Sequence, residues 1–147
     1  MSLTVNSQNF SGSVTQQAYN FDVIIACAVT RLTITSKVSD TIYTLNQGTL
    51  LTDPFTVVQD AACEFVFTYS QTFIKDGSSI SQPTWIAFNS ATQTLSMSII
   101  DPADIGVYTI TSTATIPQDD GNGVNRNISF SFTLTVIAPD PCKTASF

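Results

Sequence analysis

Histidine is absent from this chain. That removes the usual general base near neutral pH and the commonest neutral metal ligand. No Gly-x-Ser-x-Gly elbow and no Cys-x-x-Cys pair is present, so neither a hydrolase nucleophile nor a zinc site is signalled. A glycosidase-type carboxylate pair could be drawn from any two Asp, which singles out none of them. The chain reads as non-enzymatic. Basic residues are also scarce: Lys and Arg number 5, scattered singly, and form no stripe that would follow a nucleic-acid backbone. Charged residues make up 11% of the chain, against about a quarter in ordinary globular proteins. No apolar run is long enough to span a bilayer and none reads as a signal peptide, which leaves membrane attachment through a longer parent chain open.

What fills the space is β-forming. Val, Ile, Thr and Phe are plentiful, and Ser and Thr together outnumber all charged residues. No stretch carries a useful 3.6-residue apolar period, so the expectation is an all-β chain. The net charge of −6 comes from Asp, with Glu64 as the single Glu, and Asp belongs to turns, where its side chain caps its own backbone. At 147 residues the chain can build one domain with a proper core.

Strands are expected at residues 2–5, 19–26, 31–36, 41–45, 55–58, 64–69, 85–88, 94–99, 106–115 and 128–137. The polar stretch 70–83 reads as a loop. The last strand is the clearest: Ile128, Phe130, Phe132, Leu134 and Val136 alternate with Ser and Thr, which places one face on a core. Its length, β-propensity and lack of charge also require it to be paired within a sheet. Short strands split by turn residues suggest a sandwich.

The two ends of the chain echo each other. Phe21-Asp-Val-Ile-Ile-Ala-Cys27 matches Phe132-Thr-Leu-Thr-Val-Ile-Ala-Pro-Asp-Pro-Cys142, each a strand running into a cysteine. Each follows an Asn-x-Ser sequon, at Asn9 and at Asn127. An echo at the period of a β-domain marks a tandem array. The expected organisation is residues 1–27 as the last two strands of a preceding repeat, 28–141 as a complete repeat and 142–147 as the start of the next.

Asp101-Pro-Ala-Asp104-Ile-Gly106-Val-Tyr108 carries an Asp-x-Gly-x-Tyr motif leading into a strand. A Tyr so placed in Greek-key sandwiches packs its ring inward and turns its hydroxyl back to the upstream backbone. Gly106 would permit the bend and Asp104 would cap it. Ile110 stands where an antibody-type domain has Cys. With Trp85 and Phe88 upstream and the strand ending at Val136 downstream, residues 28–141 resemble the dystroglycan-type cadherin-like repeats, and related immunoglobulin-like repeats, of large surface and matrix proteins. The resemblance implies an immunoglobulin/cadherin-like Greek-key β-sandwich. The chain has no Asp-Arg-Glu and no Asp-x-Asn-Asp-Asn linker, the calcium-holding motifs of true cadherins.

The Cys count of 3 fits a scheme of one linker Cys and one body Cys per repeat. Cys27 would then pair with Cys63, and Cys142 would pair within the following repeat. The rival scheme pairs Cys63 with Cys142 and ties Cys27 to the preceding repeat. A Cys27–Cys63 loop of about 35 residues stabilises by about 4 kcal/mol in the chain-entropy picture.

Asp119, Asp120 and Asn122 form the one local cluster of oxygen donors, a weak calcium candidate whose plainer reading is a turn-rich loop. No other cofactor is implied. Asn127 and Asn9 are N-glycosylation acceptors if the chain is secreted. Trp85, Phe88 and Tyr108 read as core in preference to a sugar-stacking platform. Tyr69, Phe73 and Ile80 would be the first contact surface if exposed together. These features point to an extracellular or cell-surface structural module. Its partners would be adjacent repeats and neighbouring copies in a filament or surface layer. An adhesive, carbohydrate- or calcium-binding module and a donor-strand-assembled fibre subunit are the alternatives.

Overall fold

The structure, a computed structural model, describes residues 29, 31–60, 65–116 and 126–141. The strands expected at 2–5 and 19–26, the three cysteines, Asn9 and the 119–122 cluster lie outside the described residues. Ten strands are described: β1 Leu32–Ser36, β2 Thr41–Thr44, β3 Leu50–Leu51, β4 Thr56–Gln59, β5 Thr68–Lys75, β6 Ser78–Ile80, β7 Ile86–Asn89, β8 Thr94–Met97, β9 Gly106–Ile116 and β10 Arg126–Ile137.

A five-stranded sheet in the order β2-β10-β9-β5-β6 forms one layer. A three-stranded sheet β3-β8-β7 and the pair β1-β4 form the other. Every pairing is antiparallel except that of β10 with β2, which is parallel. The chain crosses between layers after β1, β2, β4, β6 and β8. This is an all-β immunoglobulin-like sandwich.

Alternation decides which side of each strand is buried. Along β9, Tyr108, Ile110, Ser112, Ala114 and Ile116 point inward, and Thr109, Thr111, Thr113 and Thr115 form the outer face. β10 answers with Phe132, Leu134 and Val136 inward and Ser129, Ser131, Thr133 and Thr135 outward. The core has two clusters. One gathers Tyr43, Phe73, Leu95, Met97, Ile99, Tyr108, Ile110, Leu134 and Val136. The other gathers Val29, Leu32, Phe55, Val57, Ala114 and Ile116. Phe130 packs against both, and its ring lies 4.5 Å from that of Phe55.

The structure corrects the loop expected over 70–83. β5 occupies Thr68–Lys75 and sits between β9 and β6. Its inward positions are Tyr69, Gln71, Phe73 and Lys75, so two polar residues interrupt the apolar half of the alternation. The strand closes onto β6 through Asp76 and Gly77, at φ of 48° and 84°. This left-handed pair suits a tight hairpin.

Candidate functional site

A densely bonded region among the described residues is the corner where the chain enters β9. Pro102–Asp104 forms a single 3-10 turn. Asp101 caps it, its Oδ1 accepting from the Ala103 N–H at 2.9 Å. The Asp104 N–H donates to Asp101 O at 3.0 Å, and its own carbonyl accepts from the Tyr108 hydroxyl at 2.9 Å. An Asx side chain serves N–H groups ahead of it, and Pro102 fixes the turn so that Asp101 is the residue in place.

Tyr108 forms the expected tyrosine corner. It is 1% exposed, and Trp85 meets its ring edge-on at 5.2 Å between centroids. Lys75 Nζ stands 5.3 Å above the same ring and donates to Ala103 O at 2.6 Å. Burial raises the Tyr108 pKa above the ordinary phenol value, and Lys75 opposes the shift.

Gly106 lies at φ +151° with the Asp76 carboxylate against it: a Cβ there would sit 2.8 Å from Asp76 Oδ2. Asp76 Oδ1 accepts from the Val107 N–H at 3.0 Å, and the Asp76 N–H donates to Val107 O at 2.9 Å. The β5–β6 hairpin thus clasps the start of β9.

A second tyrosine clamp was not signalled by any motif. Tyr43 is fully buried. Its hydroxyl donates to Gly48 O at 2.6 Å and accepts from the Ile99 N–H at 3.0 Å, joining the segments after β2 and after β8.

These corners are architectural. Tyr108 is buried and Trp85 and Phe88 pack on the core, so the three form no sugar-stacking platform. Tyr69, Phe73 and Ile80 likewise form no exposed surface. Phe73 is 3% exposed, Ile80 packs on the first cluster and Tyr69 on the second, where Gln93 donates to its hydroxyl at 2.8 Å. Burial raises the Tyr69 pKa, and the Gln93 bond opposes it. Asn127, by contrast, has an exposed side chain on β10, opposite Thr115.

One feature is open rather than closed. β9 pairs with β10 along its whole length, but β2 covers the other edge only over Leu134–Ile137. Thr133 donates its N–H to Asp40 Oδ1 at 2.7 Å, and Ile137 O accepts from the Leu45 N–H at 2.9 Å. Odd-numbered residues of β10 therefore aim their backbone groups at this edge. Asn127, Ser129 and Ser131 do so with no strand opposite among the described residues. Beside them a groove of 410 Å³ is lined by Ile34, Thr35, Ser36, Lys37 and Phe130.

Strand order and the Tyr108 corner together define an immunoglobulin-like β-sandwich. No family model and no curated protein sequence matches the chain. Among solved structures it is similar to titin domain M7, at 17% identity and a TM-score of 0.42, over 76% of this chain and 99% of that one. It is also similar to a mutant titin M10–obscurin-like 1 Ig complex, at 11% identity and a TM-score of 0.44, over 77% of this chain and 99% of that one.

Proposed function

We propose that the chain is a non-enzymatic structural module, one dystroglycan-type cadherin-like repeat in a tandem array at the cell surface or outside the cell. The observation that carries this is the echo between Phe21–Cys27 and Phe132–Cys142. In the described sandwich the second copy of the echo begins in β10, the final strand, and runs out through Ala138 and Pro139. By correspondence, the first copy is the final strand of a preceding sandwich, and its cysteine opens this one. Rigidity and spacing would be the product of such an array, with a Cys27–Cys63 bridge holding each linker to the sandwich that follows. Secretion is supported by the two sequons, of which Asn127 presents an exposed side chain.

A tandem fusion of two copies of residues 27–141, each keeping Cys27 and Cys63, tests the reading by small-angle scattering. The stapled array predicts an extended, stiff particle that becomes flexible on reduction. A freely jointed particle that reductant does not change would sink it.

A further inference from the structure

We infer that the edge of β10 over residues 126–132, to which no strand pairs among the described residues, is a self-pairing surface, on which a second copy of this chain lays the same edge antiparallel about a twofold axis at Ser129. Three observations meet there. The first is the row of backbone donors and acceptors at Asn127, Ser129 and Ser131, aimed outward as the Thr133 and Ile137 bonds require. A buried strand edge satisfies such groups, and an open one recruits another strand.

The second is the absence of the usual protection. From Asn127 to Ile137 the strand has no charge and no Pro, and its register with β9 runs without a bulge. A second copy meets no like charge along this segment, despite the net charge of −6 on each chain.

The third is how the ends fit. β2 and Asp40 bound the free edge on one side and Arg126 begins it on the other. Antiparallel pairing centred on Ser129 uses the whole interval and sets Asn127 opposite the second copy's Ser131. It also sets Arg126 opposite the second copy's Phe132, one position from the Thr133 N–H that holds Asp40. Each end then brings an Arg126 guanidinium to an Asp40 carboxylate. On the inner face, Ile128 and Phe130 of the added strand come down over the groove that Ile34 and Lys37 line. An isologous contact of this kind closes on itself and leaves the opposite edge, β6, free.

The test is sedimentation equilibrium of the full chain from a bacterial host, which carries no glycan, with a denaturing non-reducing gel to exclude covalent dimers. A noncovalent dimer is expected between ~10 µM and ~1 mM, the range of a small transient interface. Ser129→Pro removes an N–H that faces the open edge and not β9, a place where a strand tolerates Pro. It should abolish the dimer and leave the melting transition in place. If that variant does not fold, Arg126→Asp provides the second arm. It should weaken association on the order of tenfold, because the symmetry counts the charge pair twice, and Arg126→Asp with Asp40→Arg should restore it. A wild-type chain that stays monomeric at ~1 mM, or a dimer unmoved by these variants, overturns the inference. The pairing needs a single sandwich, so it stands or falls separately from the tandem array.

Discussion

The Tyr108 hydroxyl donates to the carbonyl of Asp104 at 2.9 Å, and this bond fixes the angle at which the chain turns from the 3-10 segment into β9. It differs in kind from the Tyr43 clamp. Tyr108 gives one bond to a carbonyl in a surface turn, whereas Tyr43 gives one bond and receives another from the buried N–H of Ile99.

That contrast sets the order of two substitutions. Tyr108→Phe should cost about 1 kcal/mol, the net worth of one hydrogen bond. Tyr43→Phe should cost more, about 2–3 kcal/mol, because it strands the Ile99 N–H where water does not reach it. Urea unfolding of the two variants, compared at equal slope, gives the ranking, and the reverse order would refute the clamp.

Gly106→Ala should destabilise by about 1–3 kcal/mol, since φ of +151° excludes side chains and the new methyl meets Asp76. Asp76→Ala removes the acceptor of the Val107 N–H and also the atom that clashes. The double variant should therefore cost less than the sum of the singles in a double-mutant cycle. Strict additivity would mean that the hairpin tip and the start of β9 are not coupled.

Tyr69 and Tyr108 are neutral phenols whose folded-state pKa values burial raises above the ordinary value of 10.0. A group with a raised folded pKa gives its full stabilisation below the unfolded value, and that contribution is lost as pH rises through the folded value. Stability should thus be flat with respect to these groups up to about pH 10 and fall beyond it. In Tyr108→Phe and Tyr69→Phe the alkaline fall should be shallower. Denaturant midpoints measured from ~pH 8 to ~pH 11 decide the point, and an unchanged slope in both variants would exclude the phenols as its source.

Expression through a secretory pathway should add a glycan at Asn127, whose side chain projects from the exposed face of β10. Glycosidase treatment should then raise the mobility of the wild type on a gel. Asn127→Gln should remove the part of that shift which Asn9 does not account for. No shift in either protein would argue against the secreted setting.

Much of the fold is legible in the sequence because the strands that anchor it alternate cleanly. β9 and β10 place an apolar residue on nearly every inward position, and period-2 alternation needs no tertiary information to be read. The corner residues Gly106 and Tyr108 are legible for the same local reason, since a fixed spacing of Asp, Gly and Tyr already describes a turn entering a strand. β5 was hidden. Gln71 and Lys75 hold inward positions, and Lys75 is accommodated there with its amine over the Tyr108 ring and bonded to Ala103 O. The Asp76-Gly77 pair was the local signal that a hairpin lay there. The Tyr43 clamp left no such signal. Its partners Gly48 and Ile99 are separated in sequence and meet only when the two layers close.

The sequence by itself determined an all-β chain, its main strands, the corner at Tyr108 and the echo that suggests a repeat. These depend on local periodicity and on turn chemistry within a few residues. Tertiary structure alone decided the strand order, the clasp of Asp76 on Gly106 and the length of β10 left uncovered by β2. Each of these depends on where a chain crossing between the two sheets comes to rest. Contacts across the layers fix that point, and no stretch of neighbouring residues contains it.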